Sequence, residues 1–168
     1  HAWRAAQDAF SAARHALRDY MNTRELVAEL GAKLGMALQW SEAGTCRILF
    51  DDDAVDFEQS GNLLYVMADM ASASGREDAY GRLLSANCLG AESGGACIGL
   101  DAARNVFTLH IVIRDDASYE SFETELTLFL KALRYWKEWL ALPPAPVSSA
   151  PTASVETAPL LASGMLKI

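Results

Sequence analysis

Three cysteines, three histidines, a run of aspartates and a glycine pair are the places where this 168-residue chain could carry chemistry. Cys46, Cys88 and Cys97 are odd in number and none stands in CxxC spacing, which argues against a disulfide framework and a zinc knuckle. They read as free, mostly buried thiols in a reducing cytosol. A nucleophilic thiol needs a neighbouring base or a helix N-terminus to lower its pKa, and the sequence shows neither. His1, His15 and His110 are scattered, with His110 in mid-strand. Asp51-Asp52-Asp53 lacks the spaced oxygens and central glycine of a calcium loop and reads as a solvated turn. Gly94-Gly95 fits neither GxGxxG nor GxxxxGK, and a strand rather than a helix follows it, so phosphate binding is not supported. Ser85, Ser93 and Ser118 have no serine-elbow context. Trp136 and Trp139 read as core or edge residues. The residue types therefore assign no catalytic group, no metal ligand and no cofactor.

The elements that carry these residues follow from periodicity. Trp3, Phe10 and Leu17 recur every seven residues, predicting an extra helix over residues 1–21. Asn22 or Thr23 can cap a helix over Thr23–Leu34, with Leu26, Val27, Leu30 and Leu34 on one stripe and Gly35 at its end. Three strands follow. Thr45–Phe50 places Cys46, Ile48 and Phe50 on one face; Ala54–Gln59 places Val55 and Phe57 on one face; Leu63–Ala68 is apolar throughout, as a central strand would be. Ser60-Gly61-Asn62 signals a hairpin. A loop over Ser72–Gly75 leads to a helix over Tyr80–Leu89, a glycine turn, and a short strand over Ala96–Leu100. Gly90 suits a left-handed helix stop and Gly94-Gly95 a tight turn. The strand is small or apolar on both faces, so both should be covered, one of them by a second protein copy. Val106–Arg114 alternates as a long strand. Ser118–Leu140 is a helix capped by Ser118, with Asp115-Asp116 favouring its positive end. Pro143-Pro144 ends it, and 143–168 reads as a flexible Pro/Ala/Ser-rich tail.

The fold class is therefore α+β: a twisted antiparallel sheet of about five strands with helices packed on it, in the order α-β-β-β-α-β-β-α, plus the N-terminal extra helix. The domains are 1–21, a helical extension; 22–142, the α+β domain; and 143–168, the tail. The net charge of −8 makes nucleic acid and anionic membrane poor partners and a basic or apolar polypeptide a better one. No apolar run approaches the length of a bilayer span, and Arg4, Asp8, Arg14, Arg18 and Asp19 interrupt the first twenty residues.

Three segments carry a resemblance. They are LGAKLGM (Leu30–Met36), LLSANCLGAESGGACIGLD (Leu83–Asp101), and the strand Val106–Arg114 running into a helix that ends RYWKEWL (Arg134–Leu140). In this order the chain, over roughly Asn22 to Leu142, resembles the class I type III secretion chaperones, the Tir chaperone family. The middle segment is the most specific. The resemblance implies a cytoplasmic, ATP-independent homodimer, not an enzyme. Such a dimer holds the N-terminal part of a secreted effector in extended form, soluble and ready for export. It implies a dimer contact through Leu84, Ala96, Ile98 and Leu100, and an effector-binding groove involving Leu26, Leu34, Ile48, Phe50 and Phe57. The alternative is a regulatory or scaffold module of the same fold that binds a folded partner. A third reading, an enzyme using one of the cysteines, requires a thiol that alkylates rapidly in the native state.

Overall fold

A computed structural model of the chain describes residues 22–144. The expected helix over 1–21 lies outside the described residues, as does all of the expected tail beyond Pro144. The elements are α1 (Thr23–Leu34), β1 (Thr45–Phe50), β2 (Asp53–Ser60), β3 (Leu63–Ser72), α2 (Tyr80–Ala86), β4 (Cys97–Asp101), β5 (Val106–Arg114) and α3 (Tyr119–Ala141). Short 3-10 turns flank α2 at Glu77–Ala79 and Cys88–Gly90.

The five strands form one antiparallel sheet in the order β1-β2-β3-β5-β4. This is the α+β architecture expected, with β3 at its centre. Period-2 alternation turns one face toward the helices: Ile48, Val55, Phe57, Leu64, Val66, Leu109 and Ile113 have essentially no exposure. α3 spans about 35 Å at 1.5 Å per residue, long enough to cross the sheet, and buries Phe122, Phe129, Leu133 and Trp136 against it. α1 adds Leu26 and Val27 to the same core.

Local chemistry sets the ends. Asn22 closes a capping box on α1, accepting from the Glu25 amide while the Glu25 carboxylate accepts from the Asn22 amide. Gly35 ends the helix at φ 68°. Ser118 caps α3 by accepting from the Ser121 amide.

Five expectations are corrected. The three thiols are not mostly buried: Cys46 is, but Cys88 and Cys97 are exposed. β3 runs on to Ser72, because β5 continues to pair with it across a bulge between Asp69 and Ala71. The helix expected over Tyr80–Leu89 stops at Ala86, since Leu89 takes φ 59° and breaks the helical path. Asp115 serves α1 rather than α3, its carboxylate accepting from the Thr23 amide at 3.0 Å. Asp53 is not a solvated turn residue: it opens β2, is buried, and receives Lys137 Nζ at 2.5 Å and Arg134 Nε at 3.4 Å, which tie α3 to the β1–β2 turn.

Candidate functional site

Each outer strand of the sheet has a concave surface beside it, apolar at β4 and mixed polar and apolar at β1. The first lies at β4. α2 packs through Leu83 and Ala86, and its Tyr80 ring meets Phe107 edge-on at 5.6 Å. Just past the end of α2, the Asn87 side chain behaves as a one-residue strand. Its Nδ2 donates to the Ile98 carbonyl at 2.8 Å, and its Oδ1 accepts from the Ile98 amide at 2.7 Å. Both backbone groups that Ile98 turns away from β5 are thus satisfied, and α2 is held against the edge of β4. Between them lies an apolar groove of about 260 Å³ lined by Leu84, Ile98, Leu100 and Phe107 among others. Leu84 is 73% exposed and Leu100 45%.

The glycine turn between α2 and β4 is clamped onto α3. Gly94, at φ 64°, lies so close that a Cβ would stand 3.0 Å from the Leu128 carbonyl oxygen. Trp136 Nε1 donates to the Glu92 carbonyl at 3.0 Å, and buried Ser93 donates to the Ala96 carbonyl. Arg82 bonds the Glu92 carboxylate and stacks over the Trp136 ring, and that hydrogen bond holds Glu92 below the usual carboxylate range.

The second surface lies at β1, which among the described residues pairs with β2 alone. After α1 the chain turns back along that helix: Leu38 sits where a side chain on Gly31 would stand, 2.8 Å from its Cγ, and Trp40 receives the Arg24 guanidinium over its ring at 5.4 Å. Gln39, Trp40, Ser41, Thr45, Cys46, Arg47 and Asp56 then line an open cleft of about 510 Å³ beside the strand. Leu34, Met36 and Leu49 are 44%, 45% and 63% exposed. Arg47 reaches across to Asp56 with two hydrogen bonds, 2.6 and 2.7 Å. Where α1 meets α3, Lys33 stands 3.9 Å over the Tyr119 ring, whose hydroxyl is buried with no hydrogen-bond partner among the described residues. Burial, reinforced by Glu123 and Glu29, pushes that hydroxyl's pKa up.

The residues named from the sequence divide clearly. Leu84, Ile98 and Leu100 meet at the groove beside α2, while Ala96 is buried beneath the glycine turn. Leu26, Ile48 and Phe57 have no exposure and belong to the core; Leu34 is exposed and Phe50 part-buried. Cover for both faces of β4 is not supplied within the described chain: Cys97 and Leu100, on opposite faces, are both exposed. Asn87, Leu89, Met36 and Trp40 emerge only from the structure. Asn87 had a legible signal, a lone amide at the end of an apolar helical pattern. Among the described residues no three His, Cys, Asp or Glu side chains gather as a metal site, and no helix is long and apolar enough to cross a membrane.

The Tir chaperone protein (CesT) family model matches residues 25–137, from α1 through most of α3. The chain belongs to that family. Comparison with curated protein sequences finds no match. Among solved structures, the chain is similar to one in the ExsC–ExsE complex, with 25% identity, TM-score 0.60, and 73% of this chain and 94% of that one covered. It is similar to one in the HopA1–SchA chaperone–effector complex, with 19% identity, TM-score 0.60, and coverage of 68% and 92%. It is also similar to one in the complex of the Yersinia pestis type III secretion chaperone SycH with a stable fragment of YscM2, with 19% identity, TM-score 0.54, and coverage of 67% and 97%. The last two likenesses speak to the fold. The family's span covers both surfaces described above.

Proposed function

We propose that the chain is a cytoplasmic type III secretion chaperone that works as a homodimer and holds the N-terminal region of a secreted effector in extended form, without ATP and without catalysis. The observation that carries this reading is the family match over residues 25–137, on a fold whose two outer strands differ in use. At β4 the Ile98 amide and carbonyl are taken by Asn87, and apolar side chains face outward beside it. That surface suits a second copy. At β1 the strand has one partner among the described residues and an open cleft alongside. That surface suits an extended peptide, which would add backbone hydrogen bonds along the strand and place alternate side chains into the cleft, where Trp40 offers an apolar face and Arg47 and Asp56 polar ones. Of the five groove residues, Leu34 and Phe50 are the ones a client reaches directly; Leu26, Ile48 and Phe57 support the floor from within the core.

The energetics fit holding rather than chemistry. Burying the exposed parts of Leu84, Leu89 and Leu100 on both copies of a twofold contact gains about 6–13 kcal/mol. This is the same order as the cost of association, so the contact needs further area to hold firmly. The net charge of −8 adds attraction for a basic client segment.

Affinity capture from the native cytosol, followed by limited proteolysis and mass spectrometry of what stays bound, tests the proposal. A protected peptide of several dozen residues from near the N-terminus of a larger secreted protein is the expected result. Recovery of only a folded full-length partner overturns the extended-client reading and favours the scaffold alternative.

A further inference from the structure

α3 buries most of its large apolar side chains against the sheet, but Leu128, Tyr135 and its C-cap Leu142 are 44%, 49% and 58% exposed. They stand seven residues apart, so each lies within about 20° of the last around the helix axis. Together they form one apolar stripe along the side of α3 turned away from the core. Thr124, Lys131 and Glu138, all exposed, occupy the levels between them. A leucine gains nothing from contact with water, and three such residues in register mark a face made to be covered.

A matching stripe exists in the same chain. Trp3, Phe10 and Leu17 also recur every seven residues, with Ala6 and Ala13 between them, in the alternating three-and-four spacing of a helix that pairs with another. A short helix draws most of its stability from packing its apolar face, so the one expected over residues 1–21 requires a partner surface. The two stripes have the same length, about 21 Å at 1.5 Å per residue. The junction also suits α3. The segment enters the domain at Asn22, and the next amide, Thr23, donates to Asp115 just ahead of α3. The link from Leu17 to Thr23 reaches up to about 20 Å, and Leu128 lies about 14 Å along α3 from Tyr119. Charge agrees: Arg4, Arg14 and Arg18 outnumber Asp8 and Asp19 in a chain of net charge −8. The cleft beside β1 is a poorer host for an apolar stripe, because Gln39, Ser41, Thr45, Arg47 and Asp56 make most of its lining polar.

We infer that residues 1–21 fold back as a helix antiparallel to α3 and cover this stripe. The direction follows from the junction, since Leu17 stays near the start of α3 and Trp3 lies toward its end. Antiparallel pairing sets Ala13 opposite Leu128 and Ala6 opposite Tyr135. The large side chains then interleave along the seam in the order Leu17, Leu128, Phe10, Tyr135, Trp3, Leu142, with small facing large at each level. The stems of Lys131 and Glu138 lie along its flanks while their charged ends stay in water. The segment lies outside the family's span of 25–137, and the inference rests on neither the homodimer nor the client proposed above. A segment docked on α3 leaves the cleft beside β1 open.

Disulfide trapping on the full chain tests it, in a background where the exposed Cys88 and Cys97 are serine. Copper-catalysed air oxidation of A13C/L128C should close a bond within one chain. A13C/M36C, which reports docking at the β1 end of α1, should stay reduced. Hydrogen exchange supplies a second reading. Amides from Trp3 to Leu17 should exchange at least about tenfold more slowly than in an unstructured chain, and L128D should abolish that protection while β3 keeps its own. Leu128 is part-exposed, so the core does not depend on it. Absence of protection over 1–21 in the parent chain overturns the inference. So does protection that persists in L128D with the A13C/M36C bond formed, which would place the segment beside β1. An A13C/L128C bond formed only between chains would make a second copy the occupant, and loss of protection in 145–168 rather than 1–21 would make it the tail; either result overturns the inference.

Discussion

Replacing Asn87 with alanine removes the link between α2 and β4, and the structure sets its size. Two hydrogen bonds are lost, Nδ2 to the Ile98 carbonyl at 2.8 Å and the Ile98 amide to Oδ1 at 2.7 Å, both part-buried. A neutral hydrogen bond contributes about 0.5–1.5 kcal/mol, so the pair contributes about 1–3 kcal/mol. The urea slope of a small domain is about 1–3 kcal/mol per molar, so the unfolding midpoint should fall by about 1 M with the slope unchanged. The loss is also local. The Ile98 amide faces away from β5 and has Asn87 as its partner, so its hydrogen exchange should accelerate while that of neighbouring Gly99, on the paired side, changes far less. N87D separates the two bonds. It keeps the acceptor for the amide but sets a negative charge against the Ile98 carbonyl, and should destabilise at least as much as alanine. A midpoint within about 0.2 M of the parent chain, together with unchanged Ile98 exchange, would refute the reasoning.

Three further outcomes follow. G94A and G61A both force alanine to positive φ, 64° and 60°, but only at Gly94 does the new Cβ meet backbone, the Leu128 carbonyl oxygen at 3.0 Å. Chemical unfolding should show G61A costing about 1–2 kcal/mol and G94A clearly more. Burial, with Asp56 adding to it, raises the Cys46 thiol above its usual pKa, whereas Cys88 and Cys97 are exposed; mass-resolved alkylation of the native chain should give two fast adducts and one slow one. Hydrogen bonds from the Arg104 side chain and backbone hold the Asp101 carboxyl below its usual range, so its contribution is present above about pH 4 and fades as pH falls through the depressed value. Urea midpoints of the parent chain and D101N should therefore differ at neutral pH and converge in acid.

The sequence carried the elements whose ends are written in side-chain chemistry. α1 runs from the Asn22 cap to Gly35, and β5 is bounded by turns, so both match their expected spans. α2 was overextended because nothing in a leucine announces a left-handed residue; Leu89 is placed there by its anchored neighbours. β3 was cut short because its last residues take their strand form from β5 across a bulge, a non-local cause. The same distinction governs the surfaces. Alternation says which residues share a face, and it grouped Cys46, Ile48 and Phe50 correctly. It does not say how far a neighbouring element covers that face, which leaves Ile48 in the core and Phe50 part-open. Leu84, Ile98 and Leu100 came together because they sit on a helix and an edge strand joined by one tight turn, a local arrangement that a single segment can specify.

The most direct test of the central claim is hydrogen–deuterium exchange on the chain with and without the captured client peptide. The account predicts that the outward-facing amides of Arg47 and Leu49 in β1 slow on binding and that the peptide's amides slow in alternation, while Thr45 and Ile98 stay unchanged because Ser41 and Asn87 already hold them. A client bound as a compact folded module, with β1 exchanging as before, would contradict it.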